Sequence, residues 1–139
     1  MPNNDVLMWV RYAKNDIDVA IREMEYICNP RLRPYEIILH HCHQCAEKML
    51  KAYILNSGGK IDPIHVLNIL RRTCARYDVS YDGKRVKDHC AYLDMFWNIK
   101  YPDFTVSVDA SHATRGINSA KRLYDFVSER LRLGKVFFK

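Results

Sequence analysis

A chain of 139 residues, of which 48% are hydrophobic, has the size of one domain and is too apolar to be disordered. No apolar run approaches the roughly 20 residues of a membrane span, and the short polar N-terminus lacks an export signal, so we expect a cytoplasmic protein without a membrane partner. The net charge of +6 lies wholly in residues 70–139, which favours either an anionic partner for that half or a solvated basic face.

Two long helices are predicted at the start of the chain. Apolar residues recur every three or four positions from about residue 5 to residue 27, and Asn29-Pro30 ends this pattern. The second helix begins near Pro34, which suits a first helical turn, and ends near residue 55, before the Asn56–Gly59 loop.

Three further helices follow. The third begins at Asp62-Pro63, with Asp62 as N-cap, and its predicted inner side is Val66, Ile69, Leu70 and Thr73 or Cys74. The fourth covers about residues 83–99, with an inner side of Val86, Cys90, Leu93 and Trp97. The fifth begins near Ser107 as N-cap and ends at Gly134, with an inner side of Ala113, Ile117, Ala120, Tyr124, Val127 and Leu131.

These segments predict one all-α domain over residues 1–139, an up-and-down bundle of four to five helices. The five cysteines are odd in number and no export signal accompanies them, so we expect reduced thiols that fill the core. The basic C-terminal segment ends in two aromatic residues, Phe137 and Phe138, which we expect to be exposed.

The second helix has a polar face formed by Gln44, Glu47, Lys48 and Lys51. These residues share one side of a helix because they are spaced by three or four positions. Two interpretations remain open: a solvated surface with a Glu47–Lys51 pair, or a row that faces a ligand. Spacing alone favours the solvated surface.

Three motifs carry a resemblance to a known family. They are Gln44-Cys45-Ala46-Glu47-Lys48-Met49-Leu50-Lys51-Ala52, then His65 in a short loop, then Lys100-Tyr101-Pro102-Asp103 before the last long helix. In this order and at this spacing the chain resembles the HEPN family of small helical bundles, over roughly residues 7–131, in a subtype with a Tyr-Pro-Asp motif. Lys100 stands where the family more often has Arg, and Lys lacks the bidentate fork.

The resemblance implies a homodimer with a nucleotide- or nucleic-acid-related binding role. It also implies a small nucleotidyltransferase as partner, in a toxin–antitoxin or defence pair. The sequence shows no motif for a cofactor, and we expect none. The ligand or partner surface that it implies comprises Gln44, Glu47, Lys48, Lys51, His65, Lys100, Tyr101 and Asp103. The competing structural interpretation is that Pro102 ends the fourth helix and Asp103 caps the next turn. A third interpretation of the whole chain is a structural dimer that scaffolds an unrelated protein.

Many HEPN members cleave RNA without metal, with an Arg and a His separated by four to six residues. The formal match here is Arg33 with His40, but it precedes the helix of the Gln44 motif, whereas the catalytic pair of the family lies in a later helix. The later region has His89 without an Arg at that separation. We therefore expect no catalytic residues, with Arg33, His40 and His89 as weak candidates for a ribonuclease toxin.

The histidines and cysteines at residues 40–45 raise the question of a metal site. His41 and Cys45 lie one turn apart in the run His40-His41-Cys42-His43-Gln44-Cys45, but a closed zinc site needs four ligands. The remaining Cys and His residues show no paired spacing, so we expect no metal site.

Overall fold

The computed structural model describes residues 2–26, 29–98 and 107–139, and its regular structure in these ranges is helical. Five α-helices and two short 3-10 turns follow one another. They are α1 (Asn4–Tyr26), a turn at Pro30–Leu32, α2 (Tyr35–Asn56), α3 (Leu67–Ala75), a turn at Val79–Asp82, α4 (Lys84–Asp94) and α5 (Ala110–Arg130). The prediction of an all-α bundle is confirmed.

Helix α2 is the centre of the bundle and packs against α1, α3, α4 and α5. It runs antiparallel to α1, since Trp9 lies near Lys51 while Asp16 lies near His41. Residues 57–66 then lead the chain back, so that α3 runs alongside α2 in the same direction, and Cys74 contacts the carbonyl of Leu50. Helices α3 and α4, and then α4 and α5, are antiparallel neighbours.

The predicted start of α3 is wrong. The helix begins at Leu67, four residues after Pro63, and no side chain of its own caps it. The carboxylate of Asp94 on α4 caps it instead, because it accepts hydrogen bonds from the backbone N–H groups of Leu67 (2.7 Å) and Asn68 (3.1 Å). A cap from another helix leaves no local sequence signal.

Two inner positions were also predicted wrongly. Ile69 is 42% exposed, and the buried side of α3 comprises Leu67, Leu70, Arg71 and Cys74. On α4, whose regular part ends at Asp94, Phe96 is buried and Trp97 is 41% exposed. The indole of Trp97 stacks on the ring of His65, with the ring centroids 6.5 Å apart.

Helix α5 begins later than predicted but buries the predicted residues. Its N-cap is Asp109, not Ser107: the Asp109 side chain accepts from the N–H of His112, whose ring accepts from the N–H of Asp109, a capping box. All six predicted inner residues are buried. Gly116 permits close packing on α2, because a Cβ there would lie 2.6 Å from Cδ2 of Leu39.

The C-terminal segment folds back on α5, so the prediction that its two aromatic residues are exposed is wrong. The buried carboxylate of Asp125 accepts hydrogen bonds from the backbone N–H groups of Val136, Phe137 and Phe138 at 2.7–3.2 Å. Gly134 makes the turn possible because its φ of 80° is left-handed. We call residues 134–139 the C-terminal strap.

The described cysteines lie in the core, and the described helices do not have the length and apolarity of membrane spans. The four described cysteines, Cys42, Cys45, Cys74 and Cys90, are fully buried free thiols, as predicted for a core role, whereas Cys28 lies outside the described ranges. In the same ranges, every helix is too short or too polar to span a bilayer.

Candidate functional site

The centre of the polar face of α2 is shielded from solvent. Glu47 and Lys51 are each only 5% exposed, and the Lys51 ammonium donates to the Glu47 carboxylate at 2.9 Å. His65, from the connection before α3, approaches the same carboxylate with Nδ1 at 3.2 Å from both oxygens. Because α1 and the 57–66 connection cover this side, Glu47 and Lys51 of the predicted row form an interior ion pair.

Lys48 is engaged with α1. Its ammonium pairs with the carboxylate of Asp16, which also contacts Nδ1 of His41 at 2.9 Å. Burial would raise the pKa of Asp16, but the hydrogen bonds from His41 and Lys48 outweigh burial and lower it. The charge of Lys48 is therefore matched within the bundle.

His43 extends the Glu47 pair towards α4. It is 1% exposed, and its Nε2 lies 3.3 Å from Asp94 while its Nδ1 lies 3.8 Å from Glu47. Since Asp94 also caps α3, one polar chain links α2, α3 and α4. We call Glu47, Lys51, His43, His65 and Asp94 the α2 network.

The structure thus brings together part of the predicted ligand surface. Glu47, Lys51 and His65 contact one another, and Gln44 is half-buried on the same helix. Lys100, Tyr101, Pro102 and Asp103 lie outside the described residues. Sequence analysis missed His43, Asp94 and Asp16, because the contacts that define them join residues far apart in the chain.

A second polar site lies between α4, α5 and the C-terminal strap. It is a half-open cleft of about 200 Å³. Its lining residues are Arg85, Val86, His89, Arg122, Leu123, Asp125, Phe126, Glu129, Lys135 and Phe138. We call it the basic cleft.

His89 stands on the α4 wall of the basic cleft. Its Nδ1 lies 3.0 Å from the hydroxyl oxygen of Ser119 on α5, which fixes the ring. Burial, followed by the positive charge of Arg122, lowers the pKa of His89 below its usual range. The imidazole is therefore neutral at neutral pH, in a site whose other charges are mainly positive.

The acidic residues of the basic cleft already have partners. Asp125 is saturated by the N–H groups of the strap, and Glu129 pairs with Lys135 at 3.7 Å. Arg85 and Arg122 form no ion pair within the described residues, and the Arg122 guanidinium lies 3.5 Å from the centre of the Phe138 ring. Two guanidinium groups are thus left without a carboxylate partner there.

Of the weak catalytic candidates, His89 alone lines the basic cleft. Arg33 ends the 3-10 turn before α2, and His40 lies on α2 with its ring centroid 5.8 Å from that of His41. Sequence analysis missed Arg85, which is one helical turn from His89 on α4, because only three residues separate them. The uneven charge of the chain was the signal that pointed to this half.

The histidines and cysteines of the run at residues 40–45 of α2 do not face one common site. Cys42 and Cys45 point into the core, where burial raises the pKa of both thiols, while His41 contacts Asp16. No three His, Cys, Asp or Glu residues within the described ranges form a group able to hold a metal ion.

Comparison with known proteins identifies the family. No curated protein and no solved structure matches the chain. A family model described as HEPN domain matches residues 6–131, which include all five helices apart from the first residues of α1. The chain therefore belongs to the HEPN domain family.

Proposed function

We propose that this protein is a non-catalytic binding module for a phosphate-bearing ligand, a nucleotide or a nucleic acid, and that the ligand binds in the basic cleft. Membership of the HEPN domain family supports a nucleotide- or RNA-related role in general. The observation that carries the choice of site is the pair of guanidinium groups, Arg85 and Arg122, that line the cleft without a carboxylate partner in the described chain. Guanidinium groups bind phosphate oxygens through two parallel hydrogen bonds.

The lysines of α2 support phosphate binding less well than the basic cleft does. A phosphate that approached Lys51 would have to displace Glu47, and one at Lys48 would have to displace Asp16. Each displacement would leave a carboxylate without its partner, which is costly for buried groups. The ligand surface predicted on α2 stays a prediction, and we rank it second.

Ribonuclease activity is the second candidate, because Arg85 and His89 stand one turn apart in the same cleft. A neutral His89 could accept the 2′-hydroxyl proton, and Arg122 could stabilise the charged phosphate. Cleavage also needs a proton donor for the leaving oxygen. Among the described residues that line the cleft, His89 is the one whose side chain ordinarily titrates near neutral pH. This favours binding without cleavage.

We also propose the assembly that the family resemblance implies. The protein would form a homodimer in the cytoplasm and act with a small nucleotidyltransferase in a toxin–antitoxin or defence pair. A dimer that only scaffolds an unrelated protein is the remaining alternative. Light scattering at tens of micromolar protein tests the dimer, and co-purification with a nucleotidyltransferase encoded by a neighbouring gene tests the pair.

Binding of a fluorescent single-stranded RNA, followed by anisotropy, tests the site. The variant Arg85→Gln/Arg122→Gln should weaken binding about tenfold or more, because charge-assisted hydrogen bonds contribute roughly 1.5–3 kcal/mol each. The control Arg11→Gln/Arg22→Gln removes the same charge from exposed positions of α1 and should change binding less than about twofold. Equal effects of the two variants would refute the site.

The same samples distinguish binding from cleavage. We expect the RNA to stay intact on a denaturing gel in the presence of a metal chelator. Metal-independent cleavage that disappears in His89→Ala would establish the ribonuclease and overturn the non-catalytic proposal.

A further inference from the structure

A second basic groove lies between α3 and α4, on the other side of α4 from the basic cleft. It is a shallow, open groove, and it is lined by Arg71, Arg72, Ala75, Arg76, Asp82 and Lys87. We call it the α3–α4 groove.

One of its cations is structural. Arg71 is 6% exposed and donates to the Asp82 carboxylate at 2.7 Å and to the Tyr81 carbonyl at 3.2 Å, which joins α3 to the 3-10 turn before α4. Asp82 is thereby neutralised. Arg72, Arg76 and Lys87 are exposed and form no ion pair within the part of the chain that the structure describes.

The two sites adjoin the same turn of α4. Arg85 lines the basic cleft and Lys87, two positions on, lines the α3–α4 groove. Lys84 and Arg85 occupy the first turn of α4, which has no acidic residue and no side-chain cap. Cations at a helix N-terminus are unfavourable for the helix itself. Lys84 pairs with Asp88 at 2.9 Å, whereas Arg85 has no carboxylate partner within the described residues. An anion that passes over this turn would offset the charge of Arg85.

We propose that the ligand is a polynucleotide whose backbone crosses the first turn of α4, with phosphates in both the basic cleft and the α3–α4 groove. This inference rests on the proposed function, since it extends the ligand of the basic cleft. A helix with its side chains is about 10–12 Å wide. A mononucleotide carries its phosphates at one end and fills one site, whereas an oligonucleotide has a phosphate at every step and can occupy both.

The test compares two ligands, ADP and a 16-nucleotide single-stranded RNA, and two double variants. Arg72→Gln/Arg76→Gln should weaken RNA binding about tenfold and leave ADP binding unchanged. For single strands, each lost phosphate contact lowers the slope of log affinity against log salt by about 0.7, so this variant should lower it by about 1.4. Arg85→Gln/Arg122→Gln should weaken binding of both ligands.

The outcomes separate the two proposals. If Arg72→Gln/Arg76→Gln leaves RNA affinity and salt slope unchanged while Arg85→Gln/Arg122→Gln weakens binding, the second site is wrong and the proposed function stands. ADP binding as tight as that of the 16-nucleotide RNA also rejects the second site. If neither variant weakens any binding, the proposed function itself fails. Lys87→Gln, which changes one exposed side chain, provides a milder check and should lower the slope by about 0.7.

Discussion

The α2 network and the basic cleft are both rich in charge, but they differ in whether the charges are matched. In the α2 network, Lys51 faces Glu47 in a nearly solvent-free interior. In the basic cleft, Arg85 and Arg122 have no carboxylate partner among the described residues, and the carboxylates nearby are paired with backbone N–H groups or with Lys135. Matched charges hold helices together, and unmatched charges remain available for a ligand.

This difference assigns opposite consequences to mutation. Removal of one member of a buried ion pair leaves the other charge desolvated, so it should destabilise the fold. Removal of an exposed, unpaired Arg should leave the fold intact and weaken an anion's binding. Measurements of stability and of binding on matched variants therefore test whether the paired charges serve the fold and the unpaired charges serve the ligand.

The largest expected effect is the loss of stability in Glu47→Ala. The variant leaves Lys51 buried without its carboxylate and removes a partner of His65. We expect the free energy of unfolding to fall by about 3–5 kcal/mol, as measured by chemical denaturation. For the same reason, Lys48→Ala/Lys51→Ala should not leave the melting temperature unchanged, which would be the expectation for a solvated face.

Asp18→Ala is the matched control for this loss. Lys14 and Asp18 form an i,i+4 pair on α1, like Glu47 and Lys51 on α2, but their side chains are 35% and 44% exposed. An exposed pair of this kind contributes about 0–1 kcal/mol. Similar losses in the two variants would show that burial does not decide the role of the Glu47 pair.

An intermediate effect is expected at the buried carboxylate that holds the C-terminal strap. In Asp125→Ala the N–H groups of Val136, Phe137 and Phe138 lose their acceptor. We expect a loss of roughly 1.5–3 kcal/mol in the free energy of unfolding, or release of the strap at a lower cost. Hydrogen exchange at residues 136–138 distinguishes these results, since release accelerates exchange there alone.

Release of the strap should also impair the basic cleft. Phe138 supports the Arg122 guanidinium and Lys135 lines the cleft, so RNA binding should weaken in Asp125→Ala. Leu133→Ala, at a partly exposed position just before the strap, is the control and should bind RNA normally. Normal RNA affinity with a released strap would show that the strap is no part of the site.

The smallest effect is the pH dependence from His89. The pKa of His89 is lower in the folded state than its usual value of about 6.5 in the unfolded chain. At a pH between the folded-state pKa and the unfolded-state pKa, the unfolded chain therefore binds more protons than the folded protein. Stability should therefore fall as pH falls through about 6.5, relative to His89→Gln, and the difference should be constant above neutral pH. Chemical denaturation of both proteins at pH values from about 5 to 8 measures this difference in the free energy of unfolding. The opposite slope would contradict the described surroundings of His89.

Much of the fold could be predicted from the sequence. The inner residues of α5 follow from a local periodicity, and all of them are buried. The start of α3 could not be predicted, because its cap comes from Asp94, which is 27 residues from Leu67 in the chain. Trp97 and Phe96 were confused for a related reason: the regular helix ends at Asp94, and the periodicity no longer applies beyond it.

The site was harder to predict than the fold. The spacing of Glu47 and Lys51 correctly gives a pair on one face, but spacing does not reveal that α1 and the 57–66 connection cover that face. The excess positive charge of residues 70–139 lies in the half that contains the basic cleft, where the ligand is proposed to bind. Which cations stay unpaired depends on the backbone contacts of Asp125, and these form only when the strap folds back.

The most direct test of the central claim is an NMR titration that shows where an anion binds. Backbone and side-chain signals of the full chain would be followed as pyrophosphate, and then a short RNA, is added. We predict shifts at Arg85, His89 and Arg122, together with a rise in the pKa of His89, because a bound phosphate favours its protonated form. Shifts confined to Lys48, Lys51 and His65, with no change at His89, would contradict the account.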